Sequence, residues 1–302
     1  MAKHRNLRRT MKLKDPYNRP VSNLRVSLTP ACNLSCIYCH REGEKNPENP
    51  VTAREIAEIL KVAEKFEIRS VKFTGGEPLL RGDIVEIINS VPDSMESSIT
   101  TNGTLLSGYA ADLKKAGLSR VNVSIDSLNP VTYKEITGSD RLADVLEGID
   151  TALSVGLTPI KLNMVLLAGI NEHELEDFFT YVRNNRNLIL QLIELMDIGA
   201  CSSHKDLSCL ESDLENRSKV IITRRMHHRK KYCLDGAEVE VVRPLHNTEF
   251  CRYCNRLRVT SDGKLKPCLL RTDNHIDIRG KTGEDLEAAF KEAVQRREPF
   301  YV

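Results

Sequence analysis

The chain of 302 residues carries 44 Lys and Arg against 42 Asp and Glu, a formal net charge of +2, with 40% hydrophobic and 28% charged residues. That length and balance exclude a lone small module, a disordered polymer and a collagen-like repeat, and they provide no overall cationic excess for nucleic acid. No apolar run approaches the ~20 residues of a membrane span, and MAKHRNLRRTMKLKD lacks a signal-peptide stretch, so the expected compartment is the cytoplasm.

Residues 1–20 hold seven Lys and Arg against one Asp and read as a solvated basic arm. The first β-branched run, 24–29, leads into Cys32, Cys36 and Cys39. A helix then starts at a capping box of Thr52 and Glu55, with Ile56, Ile59, Leu60, Ala63 and Phe66 on one face. Further strands are predicted over 70–74, 97–101, 121–126, 159–167 and 188–195, alternating with helices near 83–90, 104–116, 142–155 and 172–186. Such alternation predicts right-handed βα units and a parallel sheet, doubly wound or curled toward a barrel, with chemistry at the C-terminal strand ends. Beyond residue 200 the pattern changes to a polar helix over 206–218, a basic run over 224–231, hairpins turning at Asp235-Gly236 and Asp262-Gly263, and a last helix over 283–297. These elements read as a smaller β-rich extension packed on the main domain.

Nine cysteines in a chain expected to be cytosolic point to metal binding, catalysis or inert burial rather than structural disulfides. Cys32, Cys36 and Cys39 form CxxxCxxC in the loop where a βα unit presents its reactive groups. Three thiolates suit a soft metal, and both a Cys3His zinc completed by His40 and a [4Fe–4S] cubane with one open iron remain open. Cys251, Cys254 and Cys268 form a CxxC and a third cysteine across a hairpin, where zinc completed by His246 or Cys233 is equally open. Arg256 and Arg258, at alternate strand positions, put both guanidinium groups on one face beside this second trio, an arrangement suited to an anion or a base edge. In Thr74-Gly75-Gly76-Glu77-Pro78 the glycines allow the backbone to approach a ligand, and Glu77 offers a carboxylate to an ammonium group. Cys201, Cys209 and Cys233 have irregular spacing and no expected chemistry, and His227 and His228 read as surface residues.

CxxxCxxC with the aromatic Tyr38 before its last cysteine resembles the radical S-adenosylmethionine superfamily. The resemblance implies an open iron chelated by S-adenosylmethionine, whose sulfonium is cleaved to a 5′-deoxyadenosyl radical by an electron from the cluster. LRVSLTPACNLSCIYC, TGGEPLLR, TTNG, VSIDS, KLNMV, IELMD and CNRLRVTSDGKLKPCLL, in order from about residue 20 to 272, closely resemble the GTP 3′,8-cyclase family of molybdenum cofactor biosynthesis.

This second resemblance implies an incomplete (β/α)6 TIM-like barrel over 21–235 and a β-rich C-terminal extension over 236–302, with terminal helix, that carries a second [4Fe–4S] cluster. It implies cluster ligands Cys32, Cys36 and Cys39, and Cys251, Cys254 and Cys268. Tyr38, Gly76, Ser124 and Met196 then contact S-adenosylmethionine, joined by Glu77. Arg25, Lys72, Thr100, Lys161, Arg256, Leu257 and Arg258 contact GTP, with Arg256 and Arg258 as the catalytic pair. The implied reaction abstracts hydrogen from C3′ of GTP, joins C3′ to C8 of guanine, and passes the cyclic nucleotide to a cyclic pyranopterin monophosphate synthase. It needs an external electron donor, a homodimer stays open, and both clusters are expected to face one chamber. Three departures stand out: Gln191 where an arginine is expected, Lys72 where arginine is usual, and a REPFYV end without the double glycine of many members. A peptide-modifying radical enzyme with an auxiliary cluster and a zinc-stabilised nucleic-acid-binding protein are the alternatives.

Overall fold

The computed structural model describes residues 12–40, 49–196 and 203–302; the first eleven residues of the basic arm and Cys201 lie outside them. Six βα steps come first. They run β1 (Asn23–Ser27), α1 (Ala53–Lys65), β2 (Ser70–Thr74), α2 (Ile84–Asn89), β3 (Glu96–Thr101), α3 (Leu106–Lys115), β4 (Arg120–Ser124), α4 (Pro130–Thr137), α5 (Leu142–Ser154), β5 (Ile160–Leu166), α6 (Leu175–Arg183) and β6 (Leu188–Glu194). There follow α7 (Ser208–Arg217), β7 (Val220–Thr223), β8 (Lys230–Cys233), β9 (Glu238–Val242), α8 (Thr248–Arg252), β10 (Arg256–Val259), β11 (Lys264–Lys266), β12 (Ile276–Asp277) and α9 (Gly283–Gln295).

Among the described residues the strands form one sheet in the order β12-β11-β10-β1-β2-β3-β4-β5-β6-β9-β8-β7. From β10 to β9 the neighbours are parallel, and the outer pairs are antiparallel. The fold is an incomplete (β/α)6 barrel with a C-terminal extension. That extension is not a separate layer laid on the barrel: β10 joins β1 at one edge while β9 joins β6 at the other. The junction expected at 235/236 falls in the turn of the β8–β9 hairpin.

The strands alternate in period 2, and the two faces differ in kind. Leu24, Val26, Val71, Phe73, Ile99, Val121, Val123, Leu162, Leu190 and Leu192 point one way and join the helices in a single apolar core. Arg25, Lys72, Ser98, Asn122, Lys161, Asn163 and Gln191 point the other way and line the lumen. Helix α1 starts at the anticipated capping box, in which Thr52 and Glu55 satisfy each other's backbone, and it buries Ile56, Ile59, Leu60, Val62 and Ala63. Helix α4 was not anticipated, although its chemistry is local: Asn129 accepts from the amides of Val131 and Thr132, Pro130 opens the first turn, and Gly138 closes it at φ 73°. No helix of the described residues is long and apolar enough to cross a membrane.

Candidate active site

The site is built at both ends of the polar lumen. At the C-terminal end of β1, the loop carrying Cys32, Cys36 and Cys39 is held by three neighbours. The amides of Ser35 and Ile37 donate to the carbonyls of Thr137 and Ile136 at the end of α4. Asn102, just past β3, donates through Nδ2 to Asn33 Oδ1 (2.7 Å) and to Cys32 Sγ (3.8 Å). The turn after β2 packs directly beneath, the Gly76 amide donating to Thr29 O (2.6 Å) and the Glu77 amide to Ala31 O (2.7 Å). A Cβ on Gly76 would stand 2.2 Å from Ala31 O, so this glycine serves the approach of backbone to backbone. Tyr38 donates its hydroxyl to Asp126 Oδ2 (2.6 Å), and burial raises the Asp126 carboxyl to about 6.

Among the described residues no group of three or more His, Cys, Asp or Glu side chains closes on a single-ion site. The first loop does present three thiols that crowd one another: burial, then Asp126 and the other two cysteines push the Cys36 thiol up. The Leu34 amide (3.5 Å) and Asn102 donate to Cys32 Sγ. A cationic iron–sulfur core relieves such crowding, and N–H donors to ligand sulfur are its usual support, so the residues fit a three-thiolate cluster.

The second trio lies at the opposite end. Strand β10 runs parallel to β1 with Arg256 opposite Asn23, which sets Cys251 and Cys254 at the N-terminal strand ends, and Cys268 follows β11, antiparallel to β10. The expectation that all chemistry gathers at C-terminal strand ends is corrected here, because the added strand β10 carries its cysteines on the loop entering it. Arg19 Nη1 donates to Cys251 O (2.9 Å) and Arg297 Nη2 to Cys254 O (2.7 Å), with Asp15 Oδ2 bridging Arg19 Nε (2.7 Å) and Arg297 Nη1 (3.2 Å). Burial opposes ionisation of Cys254, but Arg297, Arg256 and Arg19 outweigh it and draw the thiol below its ordinary range, favouring the ligating thiolate.

Between the ends lies a cavity of about 420 Å³ bordered by Cys251, Cys254, Cys268 and Met196. Among the described residues ten Lys and Arg border it against two Glu. The crowding has a cost: burial and then Arg25, Arg256 and Lys161 hold the Lys72 ammonium far below its usual range. Burial likewise lowers Arg256, with Arg25 and Arg258 adding to it. So much unbalanced positive charge in a half-closed space is a site for a polyanion.

The sequence was compared with known proteins. Residues 26–182 match the family model described as the Radical SAM superfamily, and residues 188–302 match that described as Molybdenum Cofactor Synthesis C. A protein of Methanocella arvoryzae named "Probable GTP 3′,8-cyclase" is 50% identical over 291 residues, covering 96% of this chain and 94% of its own. The chain belongs to the GTP 3′,8-cyclase family. A relative of the same name in Methanothermobacter thermautotrophicus is 47% identical over 96% of this chain and 99% of its own. Streptococcus suis SuiB, solved bound to S-adenosylmethionine, shares the fold at a TM-score of 0.68 and 18% identity, over 91% of this chain and 69% of that one.

Against the contacts implied by the GTP 3′,8-cyclase family, Arg25, Lys72, Lys161, Arg256, Arg258 and Met196 all border the cavity. Thr100 and Ser124 lie two residues beyond Ser98 and Asn122 on the same strand faces, outside its walls, and Ser124 shares a register row with Asn163 and Gln191, which do border it. Two of the expected contact residues have side chains with partners inside the fold. Glu77 is fully buried and its carboxylate accepts from Leu79 N (2.9 Å), Thr101 Oγ1 (2.7 Å) and Asn102 N (2.6 Å), so it ties the turn after β2 to the end of β3. Leu257, between the two arginines, turns by strand alternation into the apolar core. Of the two cysteine trios the second borders the cavity, and Met196 borders it from the end at which the first trio lies.

Other readings change as well. His227 is buried against the cavity and stacked on Phe250 (3.7 Å between centroids), and burial with Arg256 and Arg229 holds it neutral. The far end of the basic arm is structural, with Asp15 and Arg19 buried. Arg297, Glu298 and Phe300 border the cavity from the last turn of chain. Gln191 donates to Asn163 Oδ1 (2.8 Å) and accepts from Arg229 Nη1 (2.9 Å), and fully buried Glu240 opposes Lys161 Nζ at 2.7 Å. Glu240 was legible as one of two acids, with Glu238, in the alternating strand EVEVV that follows a basic run, but nothing in the sequence indicated its partners.

Proposed function

We propose that the chain is a radical S-adenosylmethionine GTP 3′,8-cyclase that converts GTP to (8S)-3′,8-cyclo-7,8-dihydroguanosine 5′-triphosphate, the first step of molybdenum cofactor biosynthesis. Its cofactors are S-adenosylmethionine and two [4Fe–4S] clusters, for which Cys32, Cys36 and Cys39, and Cys251, Cys254 and Cys268, are the ligands in this reading. When bound, they supply the radical that opens C3′–H and an iron that meets the guanine. A cyclic pyranopterin monophosphate synthase downstream, an external electron donor and a cytoplasmic location complete the proposal.

The observation that carries it is the cationic cavity walled at one end by the second cysteine trio. Arg256 and Arg258 emerge beside that trio on one strand face, where they orient the nucleotide. Arg256 is itself oriented, its Nε donating to Asn23 Oδ1 at 3.0 Å. Arg25, Lys72 and Lys161 neutralise the phosphates, and the helix-covered barrel excludes water.

The test is anaerobic turnover of the reconstituted protein with GTP deuterated at C3′. Deuterium is expected in 5′-deoxyadenosine, and alanine at Arg256 or Arg258 is expected to lower GTP turnover by roughly 10- to 100-fold each. Deoxyadenosine formation indifferent to GTP, or both variants at full turnover, would refute the substrate.

A further inference from the structure

The loop 224–229 that joins β7 to β8 is closed on itself, the Arg224 amide donating to Arg229 O at 2.9 Å, so the side chains of Arg224 and Arg229 enter the cavity from one hairpin. Its tip is docked, with the His227 amide donating to Tyr253 O at 3.1 Å beside the second cysteine trio. Both arginines reach Glu240 on β9: Arg224 Nη1 is hydrogen-bonded to Oε1, and Arg229 Nη1 lies 3.8 Å from Oε2, where Lys161 Nζ is also bound. One buried carboxylate thus faces three cations, and the other two positive charges are left without a counter-charge from it. Arg229 is 15% exposed, and its buried Nε has no hydrogen-bond partner. A planar fork held in place by Gln191 and Glu240, with a free donor in a cavity of excess positive charge, is prepared for phosphate oxygens.

We propose that Arg229, backed by Arg224, is a phosphate-binding residue of this site and supplies from the β7–β8 hairpin the anchoring cation that position 191 on β6 does not. The claim rests on the GTP reading above. Glu240 and Gln191 aim the guanidinium, and the hairpin sets it against the lumen that Lys72 and Arg25 also border. Two cations beyond the charge of Glu240 match the multiple charge of a triphosphate better than that of a nucleoside or a single carboxylate.

The experiment is calorimetric titration of the anaerobically reconstituted protein with GTP and with guanosine. Arg229→Gln is expected to weaken GTP binding by about tenfold to a hundredfold while leaving guanosine within about twofold, the range for losing a charged hydrogen-bond donor. Arg229→Lys is expected to fall between the two, and adding Gln191→Arg to Arg229→Gln is expected to restore most of the lost affinity. Unchanged GTP binding, or equal losses for GTP and guanosine, assigns Arg229 a structural role and overturns the proposal. A double variant no tighter than the single one overturns the exchange with position 191. If Arg229→Gln does not fold, Arg224→Gln at the cavity rim carries the same test. Should the parent bind neither GTP nor guanosine, the substrate reading fails, and inorganic tripolyphosphate becomes the probe. Its binding, lost in Arg229→Gln, supports the phosphate role on its own, and its absence refutes it.

Discussion

Glu240 and Glu77 are both fully buried carboxylates, and they are stabilised by opposite means. Burial opposes the charge on Glu240, but Lys161, Arg229 and Arg224 outweigh it and bring the carboxyl down to about 2. A carboxyl lowered in the fold contributes stability that is fully present above its unfolded pKa and lost as pH falls through the folded value. Glu240→Gln, which imitates the protonated form, is therefore expected to cost roughly 3 kcal/mol near pH 6, with the difference from the parent vanishing between about pH 4.5 and 2. Denaturant melts at several pH values measure it, and a cost independent of pH would contradict the charge network. For Glu77, burial raises the carboxyl, and three donors from the chain satisfy it. Glu77→Gln sets an NH2 against donors and is expected to lose about 2 kcal/mol of stability. A variant of parental stability that binds S-adenosylmethionine less tightly would instead make Glu77 a ligand of that cofactor.

At the scale of elements, the polar lumen follows from strand alternation. NLRVS, SVKFT and RVNVS place aliphatic residues against the helices and polar ones inside, where a barrel filled by its own side chains would carry branched aliphatics. The loops depend on closer tolerances. With Ala31 O only 2.2 Å from a Cβ at position 76, Gly76→Ala must displace the cysteine loop. The expected result is a folded protein whose iron and sulfide fall to the level of a single cluster after anaerobic reconstitution. Full iron in that variant would show that the loop tolerates the shift.

The whole molecule is tied at the second trio. Arg297, 1% exposed at the end of α9, links Asp15 of the arm to the carbonyls of Cys254 and Arg19, and so joins the first described residues to the last. Removing one partner from a buried ion cluster costs about 3 kcal/mol or more, and Arg19 remains to Asp15, which sets the lower figure for Arg297→Ala. Thermal melts and iron content check this together. A variant that keeps both parental values would mean that the arm and α9 hold without the clamp.

The order of βα units, the strands within a residue or two, both cysteine trios and the family were legible in the amino-acid sequence, because each is written in local periodicity or in residue type at fixed spacing. Helix α4 was equally local in Asn129, Pro130 and Gly138 and was overlooked for lack of a long apolar period. The tertiary structure alone decided that β10 and β9 extend opposite edges of one sheet, which sends the second trio to the N-terminal strand ends. It alone decided that Arg224 and Arg229 of the basic run face inward onto Glu240, and that Arg19 and Arg297 meet at Cys251 and Cys254. These depend on packing between segments as many as 278 residues apart, where charge sign and spacing along the chain carry no information about which partner is met.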